Sequence, residues 1–160
     1  MAVDMFLKID GIKGESRDSR HKDEIEILSY SWGLSQSGTM AFGGGGGAGK
    51  VQFQDFHFTN VVSKASPSLF LKCATGEHIK EATLTVRKAG GEQQDFLIIK
   101  LNDALVSSYQ SGGSSGDNLP TDSVSINYAK IEYTYKEQKE DGSLGGEVSA
   151  GWDLKANKKV

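Results

Sequence analysis

The residues most suggestive of chemistry are Gly44, Gly49 and Lys50, which stand at the spacing of a phosphate-binding loop. In such a loop a Ser or Thr follows the lysine and holds magnesium through its hydroxyl, but Val51 occupies that position here. A phosphate-binding loop must also open a helix, whereas residues 51–58 have the sequence of a strand. The pattern therefore indicates a glycine-rich loop and not a nucleotide site.

A second pattern, Gly112-x-Ser114-x-Gly116, matches the nucleophile motif of hydrolases. That motif needs a strand, a sharp turn and a helix, and the flanks of Ser114 read as strand and loop. A mobile Gly/Ser loop is the better interpretation. None of the histidines stands at a metal-binding spacing to another histidine or to the cysteine; these residues are His21, His57, His78 and Cys73. We therefore expect no enzyme, no metal site and no cofactor.

Composition narrows the class of protein further. The 160 residues are 37% hydrophobic and 24% charged, which fits one soluble domain spanning residues 1–160. A net charge of -3 argues against a nucleic-acid partner. Charged residues interrupt the apolar N-terminal stretch, and no apolar run is long enough to cross a membrane, so neither a signal peptide nor membrane insertion is expected.

An acidic cluster at Asp23, Glu24 and Glu26 lies at the head of a predicted strand. Charges at such a place resist unwanted strand pairing when they are solvated. They could also meet a basic partner. The sequence favours the first interpretation but leaves both open.

Apolar residues alternate with period two over most of the chain, which is the mark of half-buried strands. The alternation changes phase near Leu28, between Phe53 and Phe56, and between Tyr128 and Ile131. Each change sends the side chains to the other face, so the pattern predicts strongly bent sheets or a barrel. Further strands are predicted at Ala82–Lys88, Phe96–Leu101, Leu105–Tyr109 and Val148–Leu154.

One segment has helical features. Ser66 can cap a helix whose first position is Pro67, and Gly76 can end it. The apolar side chains of one face are Leu69, Phe70 and Cys73. A single short helix is therefore expected to cover an open end of the β-structure.

Two glycine-rich loops complete the chain, one over 38–50 and one over 111–116. The first contains five consecutive glycines, 43–47. Ordering such a loop costs about 1–2 kcal/mol per backbone residue, so its natural place is a contact with another subunit. The residues thus favour a binding or assembly role.

Several segments in order resemble the haemolysin-coregulated protein (Hcp) family of type VI secretion systems. They are Met1–Ile9, Lys13–Ser16, Tyr30–Gly38, Gly45–Val51, Gln54–Phe56, Leu84–Gly91 and Gly151–Leu154. The likeness runs nearly from end to end, which makes it far more specific than any single motif.

The resemblance implies a mainly β fold, a two-sheet antiparallel β-barrel with one short α-helix, similar to a phage tail tube. It implies homo-hexameric rings that stack into the inner tube of the apparatus, inside a contractile sheath and below a VgrG-type spike. It also implies that the rings carry and chaperone small effector proteins. Such a protein is made in the cytoplasm and leaves a Gram-negative cell by type VI secretion, without a signal peptide.

The resemblance also suggests site residues. The long loop would contact an adjacent subunit or the next ring through Gly38, Gly43, Gly44, Gly45, Gly46, Gly47, Gly49 and Lys50. Ser114 and Ser115 are candidates for facing the channel and touching its cargo. Two hypotheses remain beside this one: a monomeric β-barrel that binds a small ligand or a carbohydrate, and a hydrolase that uses Ser114.

Overall fold

A computed structural model describes residues 2–38, 48–89, 94–116 and 118–160. The described chain is mainly β, with antiparallel pairing between its strands and one short helix, which confirms the predicted class. The elements are β1 Val3–Ile9, β2 Ile25–Glu26, β3 Ser29–Ser31, β4 Leu34–Gly38, β5 Ala48–Phe53, β6 Phe56–Val61, α1 Ala65–Thr75, β7 Ile79–Lys88, β8 Asp95–Gly112, β9 Thr121–Gln138, β10 Leu144–Asp153 and β11 Lys158–Lys159.

The sheet is organised around β9, the strand that has the most partners. The main path runs β11-β10-β9-β8-β7-β1-β2, and β6 joins β9 on one side and β3 on the other. β4 and β5 form a separate two-stranded sheet. The path ends at β11 and β2, so closure into a barrel stays a prediction.

On β8 and β9, the two longest strands, the buried side chains move from one face to the other at positions that pair with each other. On β9 the buried side chains step from Tyr128 to Ile131, and on β8 they step from Leu101 to Ala104. Asp103 has a φ of 51°, a left-handed conformation that bends the strand, and the register is unbroken there. The predicted change of face in β9 is confirmed. On β8 the bend leaves one long strand in place of the two predicted.

The other two predicted changes of face are breaks between strands. The Ile27 N–H donates to the Met5 carbonyl in β1, but the Leu28 N–H donates to the Thr59 carbonyl in β6. The chain thus leaves one partner strand for another at this point. The same happens between β5, which pairs with β4, and β6, which pairs with β3 and β9.

The helix begins two residues earlier than predicted, at Ala65 and not at Pro67, and Ser66 is not its cap. Lys64 takes the cap position and makes no side-chain capping bond, while Ser66 is buried in the first turn. Gly76 ends the helix as predicted, with a φ of 66° and its N–H bonded to the Lys72 carbonyl. Leu69 is fully buried.

Candidate interaction surfaces

The strands β3, β6, β9 and β8 lie side by side in this order, and the two outermost of them, β3 and β8, each have an open edge. β3 pairs with β6, β6 with residues 121–126 of β9, and β9 with β8 as far as Gly112. β7 pairs with β8 only up to Ala104, so within the described chain residues 105–112 of β8 have β9 as their single strand neighbour. Among the strands that the structure describes, β3 pairs with β6 alone. Unpaired backbone groups on such edges are templates for pairing with another chain.

The outer edge of β10 is a weaker candidate for such pairing. β11 covers it only at Trp152 and Asp153. Its pairing with β9 is irregular between Leu144 and Glu147. An irregular strand edge with a charged side chain, here Glu147, discourages the addition of another strand.

The face of the four strands turned away from the core is polar. His57 lies between two hydroxyls, with Nδ1 3.1 Å from Ser125 Oγ and Nε2 3.1 Å from Ser123 Oγ. Beside them, Ser29 Oγ and Thr59 Oγ1 are 2.6 Å apart. These bonds hold a row of hydroxyls across β3, β6 and β9, and they explain His57 as a hydrogen-bonded, half-buried residue.

The same face continues to β8 through a second cluster of hydrogen bonds. Asp55 accepts from Ser107 Oγ at 2.6 Å and from Asn127 Nδ2 at 2.9 Å. Sequence reasoning missed this surface. The sequence feature that could have revealed this polar face is the occurrence of Ser, Thr, His and Asn at positions that alternate with the apolar residues.

Ser114 and Ser115 lie in the connection between β8 and β9, and both are exposed. Ser114 lines a cavity of about 690 Å³ together with the exposed side chains of Leu28 and Leu119. The predicted cargo residues thus stand at the end of the four strands, beside apolar side chains.

The ends of the predicted long loop belong to strands. Gly38 ends β4 and pairs with Ala48 at the start of β5, which also contains Gly49 and Lys50. A hairpin register thus continues into segments that the sequence assigns to a loop. Gly43–Gly47 lie outside the described residues.

An apolar groove opens between the β4–β5 hairpin and the β9–β10 pair, and the sequence did not predict it. Its volume is about 670 Å³. The rings of Trp32 and Tyr133 lie 5.5 Å apart in its wall. The lining residues are Trp32, Leu34, Gln36, Lys50, Val51, Phe53, Ile131, Tyr133, Ala150, Gly151, Trp152 and Asn157.

The outer face of α1 is apolar and exposed. Phe70 and Leu71 are 58% and 57% exposed, so the prediction that Phe70 shares the buried face of Leu69 is wrong. The Phe70 ring lies beside the ring of Tyr109, with centroids 6.4 Å apart. Phe70 directly follows Leu69 and therefore lies about 100° away around the helix, and the sheet contacts the side that bears Leu69.

A buried carboxyl ties α1 to the sheet beneath it. Asp122 is 1% exposed and accepts a hydrogen bond from Ser66 Oγ, one from Tyr109 Oη at 2.6 Å and one from Asn60 Nδ2 at 3.4 Å. Burial and the Asp122 bond raise the pKa of the Tyr109 hydroxyl. The network fixes the helix over the end of β8 and β9.

A second buried polar group fastens the segment before β2 to β1 and β7. Arg87 is 3% exposed, and its Nη1 and Nη2 donate to Asp18 Oδ1 at 2.8 Å and Oδ2 at 2.5 Å. Its guanidinium also lies 4.7 Å from the Phe6 ring centroid, and His21 stacks on that ring. Asp4 adds a weaker contact at 3.5 Å.

The hydrogen bond from Arg87 lowers the pKa of Asp18 to about 2. Because the folded pKa lies below the ordinary value of 3.8, this bond stabilises the fold above about pH 4 and is lost as the pH falls toward 2. We expect the melting temperature of the wild type to fall over that interval more than that of Asp18→Asn. Parallel melting curves across the interval test this, and equal falls would contradict it.

Neither a metal-binding cluster of His, Cys, Asp and Glu nor a helix long and apolar enough to cross a membrane occurs among the described residues. The Ser114 loop leads from one strand into another and opens no helix, so the context that the hydrolase motif needs is missing there.

Known proteins resemble this chain throughout. The family described as "Type VI secretion system effector, Hcp" matches residues 6–135. Protein hcp1 of Pseudomonas aeruginosa is 51% identical over 159 residues, covering 98% of each chain. Hcp1 from Salmonella typhimurium is 38% identical, with a TM-score of 0.85 and full coverage of both chains. A solved type six secretion system protein is 31% identical, with a TM-score of 0.94 over 99% of this chain and 100% of that one. The chain belongs to the Hcp family of type VI secretion system proteins.

Proposed function

We propose that the protein is a structural subunit of the type VI secretion inner tube. In this proposal residues 1–160 form one tube domain that assembles into rings of six. The observation that carries the proposal is the pair of open edges on the four strands β3, β6, β9 and β8. The family, a component of a secretion apparatus, agrees with an assembling role.

The two open edges differ from each other, and they lie at the opposite margins of the four strands, one on β3 and one on β8. Pairing of β3 in one copy with residues 105–112 of β8 in the next is a heterologous contact, which closes into a ring when the rotation is right. β3 runs antiparallel to β8 through the order of pairs, so a repeated copy continues the sheet in antiparallel fashion. Each contact satisfies backbone groups that are otherwise open.

The polar face of these strands would line the channel of such a ring. Its hydroxyls, with His57, Asp55 and Asn127, offer hydrogen bonds without a broad apolar area. A channel that must release a small effector protein needs such a surface, since an apolar patch would hold the cargo tightly. Ser114 and Ser115, at the end of this face, remain our candidates for contact with cargo.

Rings of this kind would stack into a tube inside the contractile sheath and below a VgrG-type spike. We assign the stacking contacts to the β4–β5 hairpin with its ends Gly38, Gly49 and Lys50, together with Gly43–Gly47. The protein would assemble in the cytoplasm and be expelled with its effectors, so its role is structural and not catalytic.

The mass in solution tests the proposal. We expect light scattering after size exclusion to give about 103 kDa, six times the 17.2 kDa of one chain. Electron micrographs of that peak should show closed rings. A 17.2 kDa species at every concentration from micromolar to hundred-micromolar would contradict the proposal and favour a monomeric ligand-binding β-barrel.

A further inference from the structure

Four residues of α1 form an exposed apolar stripe. Pro67, Phe70, Leu71 and Ala74 follow one another at steps of three, one and three residues, so they share the helix face opposite Leu69. All four are exposed. An apolar helix face without a partner marks a contact site.

We infer that this stripe is a ring contact, and that it packs into the aromatic groove of the next copy. The inference rests on the proposed ring and names the side-chain contact that holds it. The groove is the one between the β4–β5 hairpin and the β9–β10 pair, with Trp32, Leu34, Phe53 and Tyr133 in its wall.

The stripe and the groove each lie next to one of the open strand edges, and this supports a second copy of the chain as the partner that fills the groove. The stripe stands above β8, because Phe70 contacts Tyr109, which belongs to the part of β8 that has an open edge. The groove begins at Trp32, the residue directly after β3. When β3 of the next copy pairs with that edge of β8, its groove arrives beside the helix.

The two surfaces also match in size and chemistry. A groove of about 670 Å³ has the volume of pockets that enclose a drug-sized apolar molecule, so it has room for the side chains of Phe70 and Leu71. Its rim carries the cation of Lys50. At the matching end of α1, Glu77 is 59% exposed but already lies 2.9 Å from Lys72 Nζ, so the match between the two surfaces depends on their apolar side chains.

A second copy accounts for both features at once. Stripe and groove are different surfaces of one chain, and a ring buries each of them in every subunit. A foreign ligand in the groove would leave the stripe exposed.

The double substitution Phe70→Glu with Leu71→Glu tests the stripe. Both side chains are more than half exposed, so the monomer should keep its fold, and its circular dichroism should match that of the wild type. We expect the ring peak to shift to monomer at micromolar concentration, because two carboxylates cannot enter an apolar groove. The matched control is Val3→Glu, an apolar side chain of β1 that is 40% exposed and lies outside both surfaces and both open strand edges; it should leave the ring intact.

Mixing two defective variants tests the pairing of the surfaces. Leu34→Glu damages the groove and keeps the stripe, whereas the double variant damages the stripe and keeps the groove. Each alone should be monomeric, and their equimolar mixture should form a heterodimer of twice 17.2 kDa and nothing larger. A mixture that stays monomeric, or a double variant that still forms wild-type rings, overturns the inference. A wild type without rings would instead overturn the proposed function.

Discussion

Asp122→Ala is expected to destabilise the protein by about 3 kcal/mol, because it removes the acceptor that Ser66 and Tyr109 share, while Asn60 Nδ2 keeps its bond to the Val61 carbonyl. Ser66, Tyr109 and Asn60 all donate to this carboxyl, which is 1% exposed. An unsatisfied buried donor costs about 1–3 kcal/mol, and losses within one network do not add fully. The helix should loosen first, since Ser66 is its anchor to β9. Thermal melting and helical circular dichroism at equal protein concentration measure the loss.

Asp141→Ala is the matched control for that substitution. Asp141 also accepts hydrogen bonds, from the Ser143 N–H at 2.9 Å and its hydroxyl at 2.6 Å, but it is exposed. Water replaces those bonds, so we expect this substitution to lower the melting temperature far less than Asp122→Ala does. If Asp122→Ala and Asp141→Ala have the same melting temperature, the buried hydrogen-bond network does not hold the helix.

Arg87→Met should have the second largest effect, a loss of roughly 2 kcal/mol. Methionine keeps most of the packing against Phe6 but removes both hydrogen bonds to Asp18. Breaking a fully buried pair costs about 3–5 kcal/mol, and the partial exposure of Asp18 reduces that figure. Differential melting of the two proteins at neutral pH gives the value.

Lys100→Met provides the comparison. Lys100 and Glu81 are 3.7 Å apart and both substantially exposed, so the change should stay within about 0.5 kcal/mol. A double variant that adds Asp18→Asn to Arg87→Met should cost less than the two separate losses together. Strictly additive losses would show that the two residues do not stabilise the fold as a pair.

Much of the local structure follows from the sequence. Alternating apolar residues predict the strands because each successive side chain points to the opposite face of a sheet. The step between Tyr128 and Ile131 predicts the bend in β9, and Gly76 predicts the end of the helix because glycine tolerates the left-handed conformation. The family, too, is readable from segments of the sequence, and the comparisons confirm it.

The surfaces depend on where each strand loses its partner, and only the tertiary structure decides that. No local pattern says that β7 stops pairing at Ala104 and leaves an open edge on β8. Arg87 and Asp18 are 69 positions apart, so their bond needs the whole sheet to bring them together. Leu69 and Phe70 are consecutive residues about 100° apart around the helix, and the position of the sheet decides that Leu69 is buried and Phe70 exposed. Sequence patterns predict the type of each local element. Which strand edges, grooves and helix faces stay exposed is decided only when all the elements have packed together.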